Sequence, residues 1–144
     1  MKTKKLILIT FITLMAACGG ESFDKEIKIG TQGNQMKYDV AEIYAKSGSK
    51  LKVVFKNNAT METMKHNIVF IKNKNQVKEI GEKSAKETDY LVETHEGILA
   101  YTTMIGPGEI TELIFDVPAK KGKYPFICTY PGHYGVMKGI LVVN

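Results

Sequence analysis

Histidine is scarce in this chain, with three residues in 144, and cysteine is scarcer, with two. Three imidazoles cannot build two histidine-rich centres, which excludes, within this one chain, an oxidase or reductase site that needs one beside an electron-relay site, though not one assembled with another protein. Positive charge is also thinner than it first looks. The formal balance is +5, but Lys2, Lys4 and Lys5 stand at the very start, so residues 18–144 carry only +2. That is too little to argue for nucleic acid or another polyanion as partner. Internal repeats and low-complexity segments are missing as well. A chain of 144 residues with 44% hydrophobic content suffices for one packed domain.

What is present begins with a leader. Lys2, Lys4 and Lys5 precede an apolar run, Leu6 to Ala17, that is too short for a stable transmembrane helix and ends in small residues before Cys18. Residues 1–17 therefore read as a secretory signal peptide. The segment Leu14-Met15-Ala16-Ala17-Cys18 resembles a bacterial lipobox, in which the chain is cut before a cysteine acylated on sulfur. The resemblance implies a mature protein that starts at lipidated Cys18, with residues 18–24 as a short polar tether. It would be held to a membrane of the bacterial envelope, facing the periplasm or the cell surface.

Two cysteines in an exported protein ordinarily suggest a disulfide. Acylation of Cys18 leaves Cys128 as a lone thiol. Core packing and metal ligation both explain such a residue, and its neighbours bear on the choice.

Short apolar or alternating runs recur between turn signals from residue 25 onward. Lys50 to Lys56 (KLKVVFK) alternates with period two, and similar strands fit Glu26–Ile29, Val40–Ala45, Asn67–Ile71, Ile98–Thr103, Ile110–Val117, Tyr124–Cys128 and Gly139–Val143. Turn clusters such as Ser47-Gly48-Ser49 and Gly106-Pro107-Gly108 separate them. The pattern predicts an all-β sandwich over residues 25–144. Asn75 to Asp89 is poor in β-formers and predicts a short helical insertion.

The densest chemistry is Cys128-Thr-Tyr-Pro-Gly-His133-Tyr-Gly-Val-Met137. Alternation puts Tyr124, Phe126 and Cys128 on one strand face, and Pro131-Gly132 turns the chain so that His133 can approach the thiol. Met137 follows four residues later. Thiolate, imidazole and thioether suit copper better than hard cations, and a second imidazole is available from His66 in Met64-Lys65-His66-Asn67. Two histidines and one cysteine with an axial methionine form a blue-copper electron-transfer set. Singly, each residue has a plainer reading: His66 as a strand-edge hydrogen-bonding group, Met137 as core filler, Cys128 as an inert thiol. The spacing Cys-x4-His-x3-Met with a distant His-Asn makes the set hard to obtain by coincidence. His95, flanked by Glu93 and Glu96, is expected to be a solvated loop residue.

The sequence resembles the azurins over most of the mature chain. Beyond the two ligand segments, the resemblance runs through Asn34-Gln-Met-Lys-Tyr38, Asp89-Tyr-Leu91, Ile105-Gly-Pro-Gly-Glu109 and Phe115-Asp-Val117, in the family's order. It implies an eight-stranded Greek-key sandwich with a helical flap, and one copper held in a plane by His66, Cys128 and His133. It further implies axial contacts from Met137 and from the backbone carbonyl before the first histidine, here Lys65 in place of the family's glycine. Asn67 would tie the ligand segments together, with the amides of Asn67 and Tyr130 pointing at the Cys128 sulfur. Met64, Tyr130, Pro131 and Gly132 would form an apolar docking patch around His133. The family's buried tryptophan is replaced by Ile68, and its N-terminal disulfide has no cysteines here.

The function implied is a one-electron carrier, not an enzyme, with redox proteins such as cytochromes or copper enzymes as partners and no small-molecule substrate. The alternative is a copper carrier or chaperone without redox duty, against which the methionines lie dispersed along the sequence.

Overall fold

Alternation decides the strands: in Lys50–Lys56, Leu51, Val53 and Phe55 are fully buried while the lysines turn outward. The computed structural model describes residues 21–144. The leader assigned to residues 1–17 and the lipidation site at Cys18 lie outside the described residues. Eight strands follow in order: β1 (Lys25–Gly30), β2 (Glu42–Ala45), β3 (Lys50–Lys56), β4 (Val69–Ile71), β5 (Ile98–Tyr101), β6 (Ile110–Asp116), β7 (Gly122–Ile127) and β8 (Lys138–Val143). They form two sheets, one ordered β1-β3-β6 and the other β2-β8-β7-β4-β5. β1 runs parallel to β3 and β2 parallel to β8, and the remaining pairs are antiparallel.

The sheets bury one core between them, including Ile29, Tyr38, Leu51, Phe55, Ile68, Phe70, Phe126, Cys128 and Met137. A second cluster of Val69, Ile71, Ile80, Leu91 and Ile127 lies on the back of β4 and β7. The insertion covers it. A 3-10 turn over Lys74–Gln76 leads into helix α1 (Val77–Ser84), with the Asn73 side chain accepting from the Asn75 amide at its start. The helix lies inside the stretch Asn75 to Asp89 expected to carry one, and past its end Ser84 Oγ accepts the Val92 amide.

β4 is shorter than the expected Asn67–Ile71, for a reason that matters to the site. The Ile68 amide donates to Thr102 Oγ1 and the Asn67 carbonyl accepts from Tyr38 Oη, so each residue gives one backbone group to a side chain and the regular ladder starts only at Val69. Strand direction sorts the loops into two ends. Those at 31–38, 57–68, 102–109 and 128–137 share one end; those at 46–49 and 117–121, with the C-terminus and residues 21–24, share the other.

Candidate metal centre

Cys128 emerges where β7 leaves its ladder. Its amide donates to the Met137 carbonyl at 3.0 Å, closing the base of the loop that carries three of the expected ligands. Inside it, the His133 amide donates to Tyr130 O at 2.9 Å and the Met137 amide to His133 O at 2.8 Å, so consecutive tight turns fix both residues. Gly132, at φ 83°, supplies the left-handed residue that the reversal requires. His66 comes from the other side of the core. It pairs with Ile105 through two backbone bonds of 3.0 and 2.9 Å.

These segments bring Cys128 Sγ within 3.7 Å of His66 Nδ1 and within 3.7 Å of His133 Nδ1. His66, Cys128 and His133 are all buried, with His133 retaining 6% exposure. A metal bonded at about 2.0 Å to nitrogen and 2.3 Å to sulfur in a trigonal plane sets those donors about 3.7 to 3.8 Å apart. Both sulfur–nitrogen separations therefore fit a small thiophilic ion. Met137, fully buried, lies in the same core cluster as Cys128.

Burial shapes the protonation of the site. His66 is pushed down to about 4, first by desolvation and then by the His133 charge, and burial lowers His133 as well. Both imidazoles are neutral at neutral pH and free to donate a lone pair. Burial pushes the Cys128 thiol up to about 12, opposed by the backbone N–H groups of Asn67 and Tyr130, which hydrogen-bond its sulfur. A cation must displace the thiol proton, and those two amides favour the thiolate that remains.

Side chains hold the two ligand segments in register. Asn67 Nδ2 donates to Thr129 Oγ1 at 2.8 Å, and the Thr129 amide donates back to Asn67 Oδ1 at 2.9 Å. Thr129 Oγ1 in turn donates to the Tyr90 carbonyl. Asn57 Nδ2 donates to Met64 O at 2.7 Å and to Ile105 O at 3.2 Å, clamping the His66 segment to its neighbour. In sequence Asn57 is only half of an Asn-Asn turn, and nothing there signals this role. Around His133, Pro131 and Gly132 are exposed, and Met64 and Tyr130 are half-buried. The Tyr130 ring stands 4.9 Å from the His133 ring. Lys65 is exposed and keeps a negative φ, since Tyr90 is the only non-glycine residue with positive φ among the described residues. Its Cβ therefore imposes no left-handed strain.

The sequence profile of the copper-binding proteins of the plastocyanin/azurin family matches residues 25–144. The chain belongs to that family. It is 30% identical to auracyanin-A of Chloroflexus aurantiacus, with 96% of this chain and 93% of that protein covered. It is also 30% identical to the azurin of Pseudomonas aeruginosa, over 98% and 99% of the two chains. The dithionite-reduced auracyanin of the photosynthetic bacterium Roseiflexus castenholzii superposes with a TM-score of 0.77 at 36% identity, covering 85% of this chain and 99% of that one. Copper is thus the metal that this family's fold brings to His66, Cys128 and His133.

Two expectations change against this azurin-like frame. His95 is not a solvated loop residue: its side chain is 10% exposed, its Nδ1 accepts the Gly97 amide at 3.0 Å, and its Nε2 lies 3.4 Å from Glu79 Oε1. Glu93 and Glu96 suggested solvent, but Glu79 from α1 covers the ring. The methionines are dispersed in sequence, but the five among the described residues share one end of the sandwich. Met36, Met61, Met64, Met104 and Met137 all sit in the loops of the copper end.

Proposed function

We propose that this protein is a one-electron carrier of the bacterial envelope, anchored to a membrane through lipid on Cys18 and exchanging electrons with redox proteins such as cytochromes or copper enzymes. The observation that carries the reading is the preset donor trio, two imidazole nitrogens each 3.7 Å from one buried thiol. Copper would be held by His66, Cys128 and His133, with Met137 and the Lys65 carbonyl as further candidate donors, and would supply a reversible Cu(I)/Cu(II) couple. The chain's part is to keep donors still. Its paired turns, the Asn67–Thr129 link and the Asn57 clamp oppose ligand movement, which limits the reorganisation that accompanies electron transfer. The amides of Asn67 and Tyr130 stabilise charge on the Cys128 sulfur. The remaining exposed edge of His133, ringed by Met64, Tyr130, Pro131 and Gly132, is where a partner docks and where the electron leaves.

A second reading, a copper carrier, gains from the methionines in the loops of the copper end, because thioethers bind Cu(I). Two measurements separate the readings. Copper-loaded protein should be intensely blue from thiolate-to-copper charge transfer, and correctly folded loaded protein without that band would end the proposal. In stopped-flow mixing with a reduced cytochrome, rapid bleaching supports the shuttle. Slow bleaching with ready copper loss to a Cu(I) chelator supports the carrier.

A further inference from the structure

Five exposed lysines, Lys25, Lys46, Lys120, Lys121 and Lys123, gather at the end of the sandwich opposite His133. The ladder puts them there. β1 starts at Lys25, β2 ends just before Lys46, and β7 starts just after Lys121. Loop contacts knit the end together: Ser47 Oγ donates to Ala119 O, the Gly48 amide to Pro118 O at 3.4 Å, and the Ser47 amide to Asn144 O at 2.9 Å. None of the five lysines pairs with a carboxylate among the described residues. The carboxylates nearby are drawn to a sixth lysine. Glu21 and Asp116 lie 3.1 and 3.4 Å from Lys50 Nζ, and Asp24 accepts the Lys50 amide at 2.7 Å. The copper end is mixed by contrast, with Lys65 among Glu62, Asp89 and Glu109 in one surface depression.

The tether leaves from the same end. Glu21, held by Lys50, is three residues from Cys18, a span of at most about 10 Å even when extended. We propose that the lysine pole rests on anionic lipid headgroups, so that anchor and lysines together orient the domain with its copper end away from the bilayer. This rests on the reading of Cys18 as an acylated anchor. An acyl chain and a basic patch reinforce one another on an anionic surface, because each lowers the cost of holding the other there. The seven residues of β3 separate the poles by about 23 Å, more than two Debye lengths in physiological salt. His133 is then presented to the soluble face of its partners, outside the field of the membrane.

The test uses the full, naturally processed chain in vesicles of phosphatidylcholine alone or with about 30% phosphatidylglycerol, and reads lysine acylation by mass spectrometry. Lys25, Lys46, Lys120, Lys121 and Lys123 should label about five-fold less on the anionic vesicles, and the protection should vanish above about 0.5 M salt. Lys37, Lys56 and Lys138, at the copper end, should label equally in both. Equal labelling of the pole in both lipids, or protection of the copper end instead, overturns the proposal. A combined Lys46→Gln, Lys120→Gln, Lys121→Gln, Lys123→Gln variant should stay blue, stay on both vesicles and lose the protection of Lys25. Failure of the anchor reading shows separately, as an intact mass without acyl chains and no retention on phosphatidylcholine. In that case protection of the pole on anionic vesicles at low salt still supports the docking surface, and its absence there overturns it.

Discussion

Asn67 and Thr129, 62 residues apart, exchange two hydrogen bonds of 2.8 and 2.9 Å in a fully buried pocket. Each follows a copper ligand, His66 and Cys128, so the pair fixes the separation of two donors from different parts of the chain. Asn67→Ala leaves the Thr129 amide without its acceptor in a dry site. Two buried hydrogen bonds lost, one to an orphaned donor, should cost about 2 to 4 kcal/mol. Urea unfolding of metal-free protein should show that loss. An unchanged midpoint would mean that the pair is not structural.

Removing the thiolate and removing the axial thioether should differ in kind. Cys128→Ser should abolish the blue band, because the charge transfer originates on that sulfur. Met137→Leu keeps the volume of a fully buried residue but removes a donor. Colour should survive, and the potential should rise because Cu(II) loses more from a missing axial donor than Cu(I) does. Spectroscopy and voltammetry on the two variants check both statements.

Much of the site was legible because ligand chemistry concentrates in short segments. Cys128, His133 and Met137 share one loop, and alternation in Tyr124–Cys128 announced which way the thiol would face. Strands were legible wherever one face is buried, as in β3. Their ends were not, because Asn67, Ile68 and Cys128 have strand-like neighbours but give their backbone groups to Tyr38, Thr102 and Met137. Roles that depend on contacts distant in sequence left no local trace. Asn57 read as a turn residue, His95 as solvated, and the five methionines as scattered.

Acid should destabilise the metal-free protein before the copper-loaded one. The folded state holds His66 at about 4, below its ordinary 6.5, chiefly by burial, and holds His133 down by the same cause. Between those values the unfolded chain binds more protons than the folded one, so stability is lost as pH falls through that window and is steady above it. Bound copper competes with those protons and should shift the loss to lower pH. Because the Cys128 thiol is pushed up to about 12, copper uptake should release a proton and tighten as pH rises. Urea midpoints across the window, with and without copper, measure the first effect. A flat metal-free profile would refute it.

The flap should bear on the ligand loop through one glycine. A Cβ at Gly81 on α1 would fall on the Cβ, Cγ and Cδ1 of Tyr134, the residue after His133. Only a bare backbone lets helix and loop approach so closely. Tyr134 also packs against the cluster of Val69, Ile71, Ile80, Leu91 and Ile127, so it cannot swing away freely. Gly81→Ala should therefore destabilise the protein by about 1 to 3 kcal/mol despite its better helix propensity. In a Tyr134→Ala background the clash is gone, and Gly81→Ala should become neutral or stabilising. That sign change in a double-mutant cycle distinguishes overpacking from a general intolerance of the helix. Its absence would mean that flap and loop stand further apart than this packing requires.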